Sequence, residues 1–92
     1  MAKHVLRLYV SGLSDRSQRA IASWRKFFEQ EFAEIDHTFE VIDIVDNPGA
    51  AEEAKIFATP TLIKHQPLPV RRIIGDLAER EKVLRMLNIN AS

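Results

Sequence analysis

Cysteine is missing from the sequence altogether. That absence removes disulfides, thiolate metal sites and thiol catalysis together, and it fits a reducing compartment. An excess of one charge is missing too. Thirteen Lys and Arg balance thirteen Asp and Glu, so no bulk field favours nucleic acid or an anionic membrane as partner. No apolar run approaches the ~20 residues that a membrane-spanning helix needs. Met1-Ala2-Lys3-His4 passes straight into an apolar strand pattern without a cleavable signal region. Internal repeats, low-complexity tracts and linkers are also absent. The expectation is a soluble cytoplasmic protein, with residues 1–92 forming a single domain. An apolar share of 46% and a charged share of 28% place it among ordered globular chains. A domain this small buries a modest fraction of its surface, so oligomerisation as a homo-dimer or homo-tetramer is a reasonable expectation.

Val5-Leu6-Arg7-Leu8-Tyr9-Val10 is a near-continuous apolar run, as expected for a strand covered on both faces. Ser11-Gly12 break it, and Ser14 or Asp15 is placed to cap a helix. Ile21, Trp24, Phe28, Phe32 and Ile35 then recur at spacings of three or four, which marks one buried helical face. A second strand is expected from Phe39 to Val45. Strand, long helix and strand in that order imply a right-handed βαβ unit with parallel strands. Asn47-Pro48 suits a helix start, and a short, tightly packed helix is predicted through Ala50, Ala51, Ala54 and Phe57. Thr61-Leu62-Ile63 reads as a short strand, Gln66-Pro67-Leu68-Pro69 as a loop, and Val70 to Ile74 as another strand. Asp76-Leu77-Ala78-Glu79 has the spacing of a capping box for a last helix reaching about Leu87. The order is βαβαββα. Its economical solution is one mixed four-stranded sheet with helices on both faces, the α/β thioredoxin-like arrangement.

Thr59-Pro60-Thr61 lies just before the third strand, where thioredoxin-like proteins carry a cis-proline. An X-Pro bond adopts cis at modest cost, and the sequence alone leaves its isomer open. The redox members of that fold carry a cysteine motif in the turn after the first strand. Here that turn is Ser11-Gly12-Leu13-Ser14, without a thiol. Fold and chemistry separate at this point.

Four stretches together resemble the KaiB family of circadian-clock proteins. They are Leu8-Tyr9-Val10-Ser11-Gly12, Val41-Ile42-Asp43-Ile44, Ala58-Thr59-Pro60-Thr61-Leu62, and Pro69-Val70-Arg71-Arg72-Ile73-Ile74-Gly75-Asp76-Leu77, the last continuing to Arg80-Glu81-Lys82-Val83-Leu84. The resemblance covers nearly the whole chain. It implies a non-enzymatic regulator without cofactor or metal, whose partner is the ring ATPase KaiC and which in complete clocks helps sequester KaiA. It also implies two accessible folds. One is the thioredoxin-like monomer that the hydrophobic pattern yields; the other is a tetrameric ground state with a rearranged C-terminal half. KaiB-like domains also stand at the front of histidine kinases. The alternative function is therefore an adaptor for another signalling or stress-response protein.

Three departures from the family pattern are informative. Met86 and Asn88 stand where clock members often carry Gly and Asp. Because glycine inside a helix costs about 1 kcal/mol, Met86 favours a C-terminal helix and with it the thioredoxin-like form. Glu34, Asp36 and Glu40 replace a lysine-bearing region that clock members use for KaiC, which reverses the local charge. The acidic tail common in clock members is also lacking, as expected for a system running without KaiA.

Arg19 matches a family arginine on the first helix, with partner contact and solvated charge as competing readings. Arg71 and Arg72 adjoin on a strand and so point to opposite faces, one supporting the fold and the other facing a partner. Pro60, Pro67 and Pro69 bracket the segment that a fold switch would rearrange, where slow isomerisation would set its rate. His4, His37 and His65 lie in different elements without metal-ligand spacing. No nucleophile motif accompanies them.

Overall fold

The computed structural model describes residues 3–75 and 83–85. The chain runs β1 (His4–Val10), α1 (Asp15–Glu31), β2 (His37–Asp43), α2 (Pro48–Ala54), β3 (Thr61–Gln66) and β4 (Arg71–Ile74), and residues 83–85 are helical. The sheet order is β2-β1-β3-β4. β2 runs parallel to β1, with His4 opposite His37 and Val10 opposite Asp43. β3 is antiparallel to β1, and β4 is antiparallel to β3. This is the mixed thioredoxin-like sheet that the pattern of elements implies.

Alternation along the strands sorts side chains onto two faces. Leu6, Leu8 and Val10 of β1 share a face with Leu62 of β3 and Ile73 of β4, and against them pack Trp24, Phe27, Phe28 and Phe32. Val83 and Leu84 close the same cluster. Trp24 and Phe28 stack at 5.6 Å between centroids, and Phe28 meets Phe32 edge-on at 4.9 Å. Fully burying side chains of this size contributes about 2–3 kcal/mol apiece. A chain of this length therefore concentrates its stability on one helix face. Ser14 caps α1 by accepting the Ser17 N–H at 3.2 Å.

Several boundaries differ from expectation. β2 begins two residues earlier, at His37, and stops at Asp43. There the side chain turns back to accept the backbone N–H groups of Gly12 and Val45. β3 continues through Lys64, His65 and Gln66, because antiparallel pairing with β1 extends to Val5. Ile35 lies beyond the helix and only partly enters the core. The larger correction concerns α2. It buries none of its residues, and Phe57, expected in its packed face, is 91% exposed. The cause is local: Lys55 adopts a left-handed conformation (φ 54°) that ends the helix after Ala54, so Phe57 falls outside the helical register. The capping box at Asp76 and the end of the last helix near Leu87 lie outside the described residues, as do Met86 and Asn88.

Candidate partner-binding surface

The turn that would hold a thiol in a redox protein is built here as a tied loop. Gly12 takes a positive φ of 73°, a conformation that L side chains disfavour. Its N–H donates to Asp43 Oδ1 at 2.8 Å, and the same oxygen accepts the Val45 N–H at 3.0 Å. The carboxylate thus clamps the exits of β1 and β2 together. Thr59-Pro60 is cis, as are Gln66-Pro67 and Leu68-Pro69. Pro60 is buried at the entrance to β3, where its carbonyl accepts the Gly75 N–H at 2.8 Å. Pro67 is half-buried and Pro69 exposed in the following loop.

The arginines separate into distinct settings. Arg19 is exposed on α1. Arg72 reaches from β4 to the end of α2 and donates to the carbonyls of Ala54 (2.9 Å) and Lys55 (3.1 Å), satisfying groups that the helix end leaves open. Arg71 points to the other face, beside Lys64, its antiparallel partner. Lys64 is 1% exposed, and its ammonium donates to the Pro67 carbonyl at 2.6 Å. Burial, and then the charge of Arg71, pull its pKa below the ordinary lysine value.

The histidines do not converge. His4 and His37 lie side by side in the β1–β2 register, while His65 meets the Tyr9 hydroxyl at 3.2 Å on another part of the sheet. Burial lowers the pKa of His4, helped by Lys64 and His37. Burial also lowers that of His65, with Arg7 and Arg72 adding and Glu40 opposing. Among the described residues, no group of three or more His, Cys, Asp or Glu side chains is arranged to hold a metal ion, and no helix is long and apolar enough to cross a membrane. Of the acidic residues along β2 and the turn before it, Glu40 faces Arg7 at 3.6 Å, whereas Glu34 and Asp36 are exposed.

What the structure adds is an apolar surface around α2. Pro48, Ala51, Ile56 and Phe57 line a cleft of about 580 Å³, flanked by Glu52 and Lys55. A phenylalanine left almost wholly in water forgoes about 2 kcal/mol of burial. Sequence periodicity hides this surface, because Phe57 has the spacing of a core residue until the left-handed Lys55 is known.

The sheet order and its elements define a thioredoxin-like protein, whose thiol-free first turn is tied by a carboxylate from β2. Solved structures agree on the fold. The N-terminal domain of Synechococcus elongatus SasA superimposes with a TM-score of 0.68 at 21% identity, covering 94% of this chain and 77% of that one. Chloroplastic thioredoxin z gives 0.69 at 15% identity, covering 94% and 76%. Sequence comparison goes further. The KaiB domain family model matches residues 7–89. The circadian clock oscillator protein KaiB of Synechococcus elongatus is 51% identical over 86 residues, covering 94% of this chain and 83% of that protein. The KaiB of Trichodesmium erythraeum is also 51% identical, covering 94% and 82%. The chain belongs to the KaiB family.

Proposed function

We propose that residues 1–92 act as one cytoplasmic, non-enzymatic KaiB-like domain that binds a KaiC-like ATPase ring and modulates its activity or signalling output. The observation that carries the reading is the exposed apolar cleft at α2, centred on Phe57, on a chain half identical to clock KaiB proteins. An apolar anchor with charged neighbours at its rim is the composition of a protein-docking patch. Arg19 and Arg71, both exposed, supply further contacts to an acidic partner, whereas Arg72 serves by holding α2 in place. KaiA joins as a second partner where the system includes one.

A second reading is an adaptor for another partner, such as a histidine kinase or a stress-response protein. Exposed Glu34 and Asp36 support it, since they reverse the charge expected for KaiC.

Light scattering after size exclusion tests both, using the wild type and Phe57→Ser with the KaiC of the same genome in ATP and in ADP. A complex that forms with the wild type and is lost in Phe57→Ser, with an unchanged circular dichroism spectrum, supports the first reading. Failure to bind in both nucleotide states overturns it in favour of the adaptor. A complex that survives Phe57→Ser removes the cleft as the docking site.

A further inference from the structure

The balanced composition conceals an uneven spread of charge across the sheet. Exposed Glu34, Asp36 and Glu40 stand on or just before β2, one edge strand, while Lys64, Arg71 and Arg72 gather on β3 and β4 at the other edge. Arg85 joins the second group from the helical residues 83–85. There a notch of about 370 Å³ opens, lined by Val70, Arg71, Arg72 and Arg85. No carboxylate is among its described lining residues, so its three guanidiniums make it strongly positive.

The arginines differ in what they have free. Two Arg72 nitrogens are engaged by the carbonyls of Ala54 and Lys55, so this residue adds charge from a fixed position. Arg71 and Arg85 are exposed, and among the described residues neither has a hydrogen-bond or ion-pair partner. Buried Lys64 stands opposite Arg71 in the β3–β4 register, and the Arg71 charge adds to burial in lowering its pKa. Like charges are therefore held together here without a described counter-charge, which is unfavourable until an anion arrives.

We infer that the notch binds a dianionic phosphoryl group, held between Arg71 and Arg85. Each guanidinium presents a planar fork of donors that fits a carboxylate or a phosphate. A carboxylate has one charge and two oxygens, and one fork satisfies it. A phosphoryl group carries nearly two charges and three acceptor oxygens, enough to engage forks that arrive from a strand and from a helix together. Arginine clusters read phosphoryl groups in this way. Val70, 49% exposed, offers an apolar wall to the body that carries the group. The notch shares no lining residue with the apolar cleft at α2, so phosphoryl binding and docking at Phe57 stand or fall separately.

Proton–nitrogen NMR titration of the full chain at about pH 7.5, where the phosphoryl group is dianionic, tests the inference at constant ionic strength. The probes are N-acetyl-O-phosphoserine amide, inorganic phosphate and acetate. Both phosphoryl compounds are expected to give saturable shifts at the Arg71 and Arg85 Nε–H groups, and acetate at the same concentrations gives none. Tighter binding of the phosphoserine derivative assigns the site to a phosphorylated protein segment; equal or tighter binding of inorganic phosphate assigns it to a free anion. Arg71→Gln and Arg85→Gln each weaken binding by about tenfold. Both side chains are exposed, so neither substitution removes a core contact. Arg16→Gln, which removes an equal charge from the exposed surface of α1, changes it by less than about twofold. No saturable shift with either phosphoryl probe up to about 50 mM overturns the site. Equal weakening by all three substitutions also overturns it, because bulk attraction then accounts for the binding. Acetate binding as tightly as phosphate overturns the ligand class.

Discussion

Arg72 on β4 donates to the carbonyl of Ala54 at 2.9 Å, tying a strand edge to the end of a helix 18 residues earlier. Its second bond, to Lys55, makes one guanidinium the anchor of a helix that has no buried residue of its own. Arg72→Ala is expected to cost about 1 kcal/mol in global stability, the usual net worth of such bonds at an exposed site. It should also raise amide exchange across 50–56 far more than across β1. Uniform exchange rates in the variant would show that α2 is held by something else. Arg72→Lys should not rescue, because an ammonium lacks the planar fork that serves two carbonyls.

Asp43 accepts two backbone N–H groups that have no other role in the fold. Asp43→Ala leaves both without their acceptor and is expected to destabilise by about 2 kcal/mol, read from urea midpoints. Gly12→Ala acts on the same turn by another route. A methyl group there meets no atom within 4 Å, so the loss of about 1 kcal/mol reflects backbone conformation alone.

Lys64 is a buried ammonium with one carbonyl acceptor and a like charge beside it. Replacing such a group by an apolar side chain of similar length removes desolvation and repulsion together. Lys64→Met is expected to raise stability at neutral pH by about 1 kcal/mol, measured by thermal or urea unfolding. A loss of similar size would mean that the bond to Pro67 outweighs both.

His4 and His65 both have pKa values below the ordinary 6.5 in the folded chain. A base in that condition binds fewer protons when native than when unfolded, so stability rises with pH between the two values. The contribution is complete above about pH 6.5 and is lost as pH falls from there towards the folded values. Urea midpoints between pH 7.5 and pH 5 should fall accordingly, and His4→Gln with His65→Gln should flatten the decline. An unchanged slope in the double variant would assign the acid sensitivity to carboxylates.

The parts of the fold that sequence made legible are those fixed by period. Trp24, Phe28 and Phe32 fall on one helical face, so the helix side of the core could be read before any coordinates. The apolar run from Val5 to Val10 marked a covered strand without showing that Leu6, Leu8 and Val10 take the core face. Adjacent arginines on a strand had to diverge, and Arg71 and Arg72 do. The destination of Arg72 was not legible, because carbonyls at 54 and 55 carry no side-chain signature. Lys64 hid a burial that only the register with β1 and β4 reveals. Phe57 misled in the opposite direction: a single left-handed residue moved an apparent core position into water, and with it the surface on which the proposed function rests.

The separation of α2 from the core has an evolutionary consequence. Its Glu52 and Glu53 are exposed and its alanines only half-buried, so substitutions on its outer face cost folding little. Exposed Glu52 and, just beyond the helix, Phe57 can therefore change at little cost to folding, while the aromatic helix and central strands are held by the core.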